Sequence, residues 1–253
     1  MQQDLMCVRV ADSGNATRRN LDKGEILGTL RPGQIDHQVW LVETGGLAIS
    51  AIDPELGSLM LDVLGRSSCF STWDTMPTRA ASEVVVFALV PSTIYQVPRD
   101  DFLQMVAADR DLSNQVVLAK ARQHGVMMSR AAIMRQHDPL RKLAGTILYL
   151  SDQLGEGCPV NGGNSFRMNQ HMVASVADLS RQTVNRELSI LRDANLVHVE
   201  RSFICVLDAD GLHRVASGRK PEAKLNEKSV CRWRHPEEIG NCHFCAPAVG
   251  PVA

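Results

Sequence analysis

Three of the chain's seven cysteines fall within fifteen residues, at Cys231, Cys242 and Cys245, with His235 and His243 interleaved among them. A C-x2-C pair puts two thiolates on one tight turn where both reach the same metal, and a third cysteine about ten residues earlier closes the loop. Two chemistries suit this spacing. Zinc would take the three thiolates with His235 in a tetrahedral knuckle. An iron-sulfur cluster would take the three thiolates and a fourth ligand from elsewhere, such as Cys7, Cys69, Cys158 or a non-cysteine group like Asp138. A thiol-bearing tail or a reversible dithiol switch is the third reading. A disulfide framework fits poorly, because seven is odd and the N-terminus MQQDLMCVRV lacks the basic and apolar regions of a secretion signal. A cytoplasmic, thiol-reducing location is expected.

A second group, Arg181, Gln182, Asn185 and Arg186, is spaced to face one way from a helix within SRQTVNRELSILRDAN. In a helix-turn-helix, apolar residues fill the angle between two helices, and the second helix exposes polar side chains at its N-terminal end to the major groove. Met172, Val173, Val176, Leu179, Val184 and Leu188 supply the apolar side. Ser180 is a good N-cap for the second helix and Asp178 suits the turn before it. Arg192 and Arg201 are further candidates for phosphate contact. A net charge of -1 and a pI near 6.7 exclude a nonspecific polycation but leave room for one basic face. Double-stranded DNA is the partner these residues predict.

The elements that must hold these groups are legible from periodicity and punctuation. From about Leu21 to Val97, short apolar runs separated by Gly24, Gly28, Gly33, Gly45 and Gly46 predict a small antiparallel β-roll. Leu112, Val116, Ala119, Val126 and Ile133 keep helical spacing to about Gln136, beside Met127 and Met134. Such a helix of about 25 residues runs roughly 37 Å and wants a partner along its length. Met127, Met128 and Met134 read as interface filler. Pro139 in HDP breaks the pattern and marks a hinge. PLRKLAGTILYLSDQL resumes as helix, 155–166 reads as a loop, two short helices follow, and LVHVE and FICVL form a small hairpin. The fold class is α+β, in four parts: a β-roll over 1–108, a dimerisation helix over 109–137, a winged helix-turn-helix over 138–217, and a linker with the cysteine-rich tail over 218–253. No run of about 18 apolar residues predicts a membrane span.

The segment NQHMVASVADLSRQTVNRELSILRDANLV resembles the recognition region of the CRP/FNR family of bacterial transcription regulators, closely over about 45 residues from Met168 to Leu212. The order of roll, long dimerisation helix, hinge and winged helix agrees with the same family, and the resemblance implies a homodimer. The resemblance implies that Arg181 and Arg186 contact bases or phosphates. Glutamate is common in the family where this chain has Gln182, and glutamine suits the adenine edge rather than cytosine, so the half-site core is expected to differ. Family members that bind cyclic AMP carry a Gly-Glu pair followed by Arg-Ser in the roll. LGRSSCFSTWDTMPTRAASEVVVFALV lacks the Gly-Glu pair, and Arg79 before Ala80 is wrongly spaced, so no cyclic nucleotide is expected. Because the family includes oxygen and nitric oxide sensors with a 4Fe-4S cluster, the resemblance favours iron-sulfur over zinc for the C-terminal trio. Cys69, His37 and His124 are of types that serve as haem or redox residues, but single residues of this kind are more often packed or surface ones. No set of positioned acid, base and pocket residues predicts an enzyme. RNA polymerase is implied as a partner if the protein is an activator.

Overall fold

A computed structural model describes residues 5–30, 37–53, 57–71, 83–157, 163–200 and 202–221. The chain divides into two compact units, Met1–Ala131 and Ala132–Ala253. The division falls near the end of the long helix.

The first unit holds α1 (Leu5–Asp12), eight strands, α2 (Arg99–Ala108) and most of α3 (Arg110–Met134). The strands are β1 (Thr17–Leu21), β2 (Ile26–Leu30), β3 (Gln38–Thr44), β4 (Leu47–Asp53), β5 (Gly57–Leu64), β6 (Cys69–Phe70), β7 (Glu83–Ala88) and β8 (Ser92–Pro98). They form two antiparallel sheets, ordered β1-β8-β3-β6 and β2-β7-β4-β5. One core joins the inner faces through Leu21, Trp40, Val42, Leu47, Ile49, Val86 and Ile94, with Trp40 stacked on Phe70. A second core, including Val39, Leu41, Val97, Phe102 and Leu112, packs the helices α1, α2 and α3 on the other face of the first sheet. This accounts for the unbroken run Val39-Trp40-Leu41-Val42. Successive side chains point to opposite faces, and here both faces are buried. Gly45, at φ 80°, turns β3 into β4 where a Cβ would lie 2.4 Å from the Pro91 carbonyl oxygen. Gly28 does not mark a turn as expected; it lies inside β2 at a register shift, facing the Trp40 ring.

The second unit contains α4 (Pro139–Leu154), β9 (Glu156–Gly157), β10 (Asn164–Arg167), α5 (Gln170–Ala177), α6 (Arg181–Asp193), β11 (Val197–Glu200), β12 (Phe203–Val206) and α7 (Ala209–Ala216). Asp138 caps α4 by accepting from the Leu140 N–H at 3.0 Å, with Pro139 in the first turn where its missing N–H costs nothing. Leu143, Ile147 and Leu150 of α4 are fully buried with Val173, Val176, Val184, Leu191, Leu212 and Val215 in the core of the unit. The wing is larger than the expected hairpin. Its order is β11-β12-β10-β9, because the ends of the 155–166 segment, expected as loop, pair with each other and with β12. The helix α7 was also not expected, and it carries the burial of Leu212 and Val215.

Candidate nucleic-acid interface

Local capping places the two helices of the helix-turn-helix. Asn169 caps α5 by accepting from the Met172 N–H at 2.9 Å, and Ser180 caps α6 by accepting from the Thr183 N–H at 3.1 Å. Between them Asp178 takes the left-handed conformation at φ 49°, which lets the chain leave one helix and enter the next within three residues. The expected cap and turn residues thus hold their expected places. The turn is braced from α4, where the buried Lys142 donates to the Asp178 carbonyl oxygen at 3.3 Å and has the Asp178 carboxylate at 3.5 Å. Sequence patterning gave no sign of this lysine.

Val173, Val176, Val184 and Leu188 are buried between the helices, while Met172 and Leu179 are partly buried. On the opposite side of α6, Arg181, Gln182, Asn185 and Arg186 are all exposed. They divide into two kinds. Arg181, Gln182 and Asn185 have no hydrogen-bond or ion-pair partner among the described residues, so their polar groups are open to a ligand. Arg186 is engaged by its neighbour Glu187 at 2.6 and 2.8 Å. Exposed Arg192 donates to Ser189 and lies 3.6 Å from Asp193, and Arg201 falls outside the described residues. On β11 the imidazole of His198 is held below its ordinary pKa by burial, and the charge of Arg192 lowers it further against the opposing pull of Glu200.

The expected metal ligands Cys231, Cys242 and Cys245, with His235 and His243, lie outside the described residues, as do Cys158 and Arg79. Among the described residues no group of three or more His, Cys, Asp or Glu side chains could hold a metal ion. Of the candidate fourth ligands, Cys7 and Cys69 are 3% and 1% exposed within the apolar helix-side core. Burial pushes the Cys69 thiol up to about 11 despite the nearby Lys120 ammonium, so it carries no thiolate at neutral pH. Asp138 is exposed, with its carboxylate capping α4. His37 and His124 are exposed. No described helix is long and apolar enough to cross a membrane.

A three-helix core with a capped, solvent-facing second helix and an adjacent antiparallel wing defines the second unit as a winged helix-turn-helix. Residues 141–215 match the family model of the Crp-like helix-turn-helix domain. A CRP-family transcriptional regulator of Thermus thermophilus is similar in structure at 19% identity, covering 81% of this chain and 99% of that one, with a TM-score of 0.61. A CooA mutant of Carboxydothermus hydrogenoformans is similar at 18% identity over 81% and 90% of the two chains, with a TM-score of 0.62. FixK2 of Bradyrhizobium japonicum is similar at 15% identity over 79% and 96%, with a TM-score of 0.60. No curated protein matches the chain. The second unit thus carries a Crp-like helix-turn-helix domain over residues 141–215, and the fold of the chain is that of solved CRP-family regulators.

Proposed function

We propose that this protein regulates transcription as a homodimer on a pseudo-palindromic duplex, each subunit placing α6 in a major groove. The observation that carries this reading is the set of three exposed, unengaged polar side chains, Arg181, Gln182 and Asn185, on the first turns of a capped helix. Arg181 matches the paired acceptors of guanine, and Gln182 and Asn185 match the adenine edge. Arg186 joins them through the edge of its guanidinium that Glu187 leaves open. Arg192 and Arg201 contribute phosphate contacts.

The dimer reading is supported by the long helix. Leu118, Ala121, Gly125 and Met128 recur at alternating spacings of three and four and are all exposed, which is the pattern of a coiled-coil seam. Gly125 meets nothing within 4 Å of a Cβ position, so a facing helix has room to approach closely. RNA polymerase is the further partner if the protein activates.

The signal enters, in this reading, through Cys231, Cys242 and Cys245, which would hold a 4Fe-4S cluster with a fourth ligand. Their spacing and the family resemblance support it. The accessible Asp138 is favoured over Cys7 and Cys69, which would need the apolar core to open. Such a cluster supplies a centre that oxygen or nitric oxide can destroy, and a signal of this kind acts only by favouring one arrangement of the dimer over another.

The test is selection of a duplex from a randomised pool by the purified full-length protein, followed by affinity measurement against salt. A selected site with two related halves about one helical turn apart and a steep loss of affinity with salt are expected. Failure to enrich any sequence would overturn the DNA reading. Protein purified without oxygen should be brown, with iron and sulfide near four per chain as an order of magnitude; colourless protein with stoichiometric zinc would overturn the cluster.

A further inference from the structure

The carboxylate of Glu187 lies where the pattern of α6 calls for an apolar side chain. Val184, Glu187, Leu188 and Leu191 form the buried stripe of the helix at i, i+3, i+4 and i+7, and Glu187 is 5% exposed. A carboxylate in such a position is unfavourable unless it is paired. Its partner is Arg186, whose Nε and Nη2 both donate to Oε1, at 2.8 and 2.6 Å. The pair is unequal in exposure, with 67% for the arginine side chain and 6% for the glutamate.

Adjacent residues on a helix diverge by about 100°, so they do not ordinarily face each other. Here the guanidinium folds back over the helix surface to reach a carboxylate that cannot turn to water. The arginine therefore gives one edge to the protein and keeps Nη1 and the remaining Nη2 hydrogen for a ligand. An unpaired arginine on a helix surface samples many rotamers, and binding must remove that freedom. One held in place by a buried anion has already lost it.

We infer that Glu187 is a positioning residue for DNA recognition, presetting the guanidinium of Arg186 for its contact in the groove. The inference rests on the reading that α6 enters the major groove. Two consequences of opposite sign follow from the chemistry. Removing the carboxylate charge frees Arg186 and so weakens the ordered contact at the selected site. The same removal takes a negative charge away from the phosphates, and so strengthens the sequence-independent attraction.

The experiment uses the full-length protein, the duplex it selects from a random pool, and a scrambled duplex of the same length. Glu187→Gln should lower the preference for the selected duplex about tenfold, with tighter binding to the scrambled one. In an Arg186→Ala background the same substitution should leave the preference where Arg186→Ala alone put it. Glu187→Leu, which completes the apolar stripe, should lose the preference to the same degree while unfolding at the same or a higher temperature. A purely structural glutamate would weaken both duplexes by one factor, and that result overturns the inference, as does an equal loss in the absence of Arg186. A wild-type protein that selects no duplex overturns the DNA reading itself, whereas selection with a neutral Glu187→Gln overturns the positioning role alone.

Discussion

Replacing Lys142 with methionine removes the ammonium that braces the turn of the DNA-reading motif while keeping most of the volume. The lysine is 8% exposed and lies 3.3 Å from the Asp178 carbonyl oxygen and 3.5 Å from its carboxylate. The two contacts are unequal in worth. The Asp178 side chain is 68% exposed, so solvent screens the ion pair to at most about 0.5 kcal/mol. A hydrogen bond from a charged donor to a carbonyl contributes about 1.5–3 kcal/mol, from which the relieved burial of the ammonium must be subtracted. A net loss of about 1–2 kcal/mol is expected for Lys142→Met. With a urea dependence of about 2 kcal/mol per molar, the midpoint of the second unit should fall by roughly 0.5–1 M. The assay is urea unfolding of the full chain followed by amide exchange in α5 and α6, which separates this unit from the roll. Asp178→Asn is the control: it removes the carboxylate charge and keeps the carbonyl, so the cost of Lys142→Met should persist in its presence. If Asp178→Asn abolishes that cost, the carboxylate was the partner that mattered and the reasoning fails.

Three further outcomes are expected. Arg181→Ala should weaken binding to the selected duplex by about 1–3 kcal/mol, measured by titration against selected and scrambled DNA, and equal losses on both would reduce Arg181 to a phosphate contact. Met128→Glu, at an exposed position of the α3 seam, should convert a dimer into a monomer by sedimentation, whereas an unchanged dimer would move the interface elsewhere. Cys69 should resist alkylation at pH 8 in the folded protein and react on unfolding, as read by mass spectrometry. Its folded pKa, about 11, lies above its ordinary value of 9.0, so above pH 9 the unfolded chain loses this proton first and stability falls as pH rises towards 11. Cys69→Ala should flatten that part of the alkaline profile, whatever it costs in packing at neutral pH.

Local chemistry made the DNA-reading half of the molecule legible in one dimension. The helix expected over PLRKLAGTILYLSDQL coincides with α4, because Asp138 and Pro139 start it and Gly155 follows its end. The start of α6 is equally legible, because an N-cap serine and the residues it serves are neighbours in sequence. The short helices α1 and α7 are not, whereas α5, equally short, is legible from the helix-turn-helix pattern it belongs to. Strands β9 and β10 look like loop in the sequence because glycine and asparagine surround them, and their pairing depends on a strand some forty residues later.

The sequence by itself determined α4, α5, α6 and the β11–β12 hairpin of the second unit, the turn at Asp178, and the identity of the exposed side chains of α6. Each of these follows from interactions within a few residues of chain. Only the tertiary structure decided that Lys142 holds that turn and that Arg186 is not free like Arg181, Gln182 and Asn185. It also set the burial of Glu187, which a helical wheel marks as a core position but cannot furnish with a partner. The physical reason is common to these cases. Burial and ion pairing depend on which surfaces meet, and a polar side chain records its partner only once the chain has folded around it.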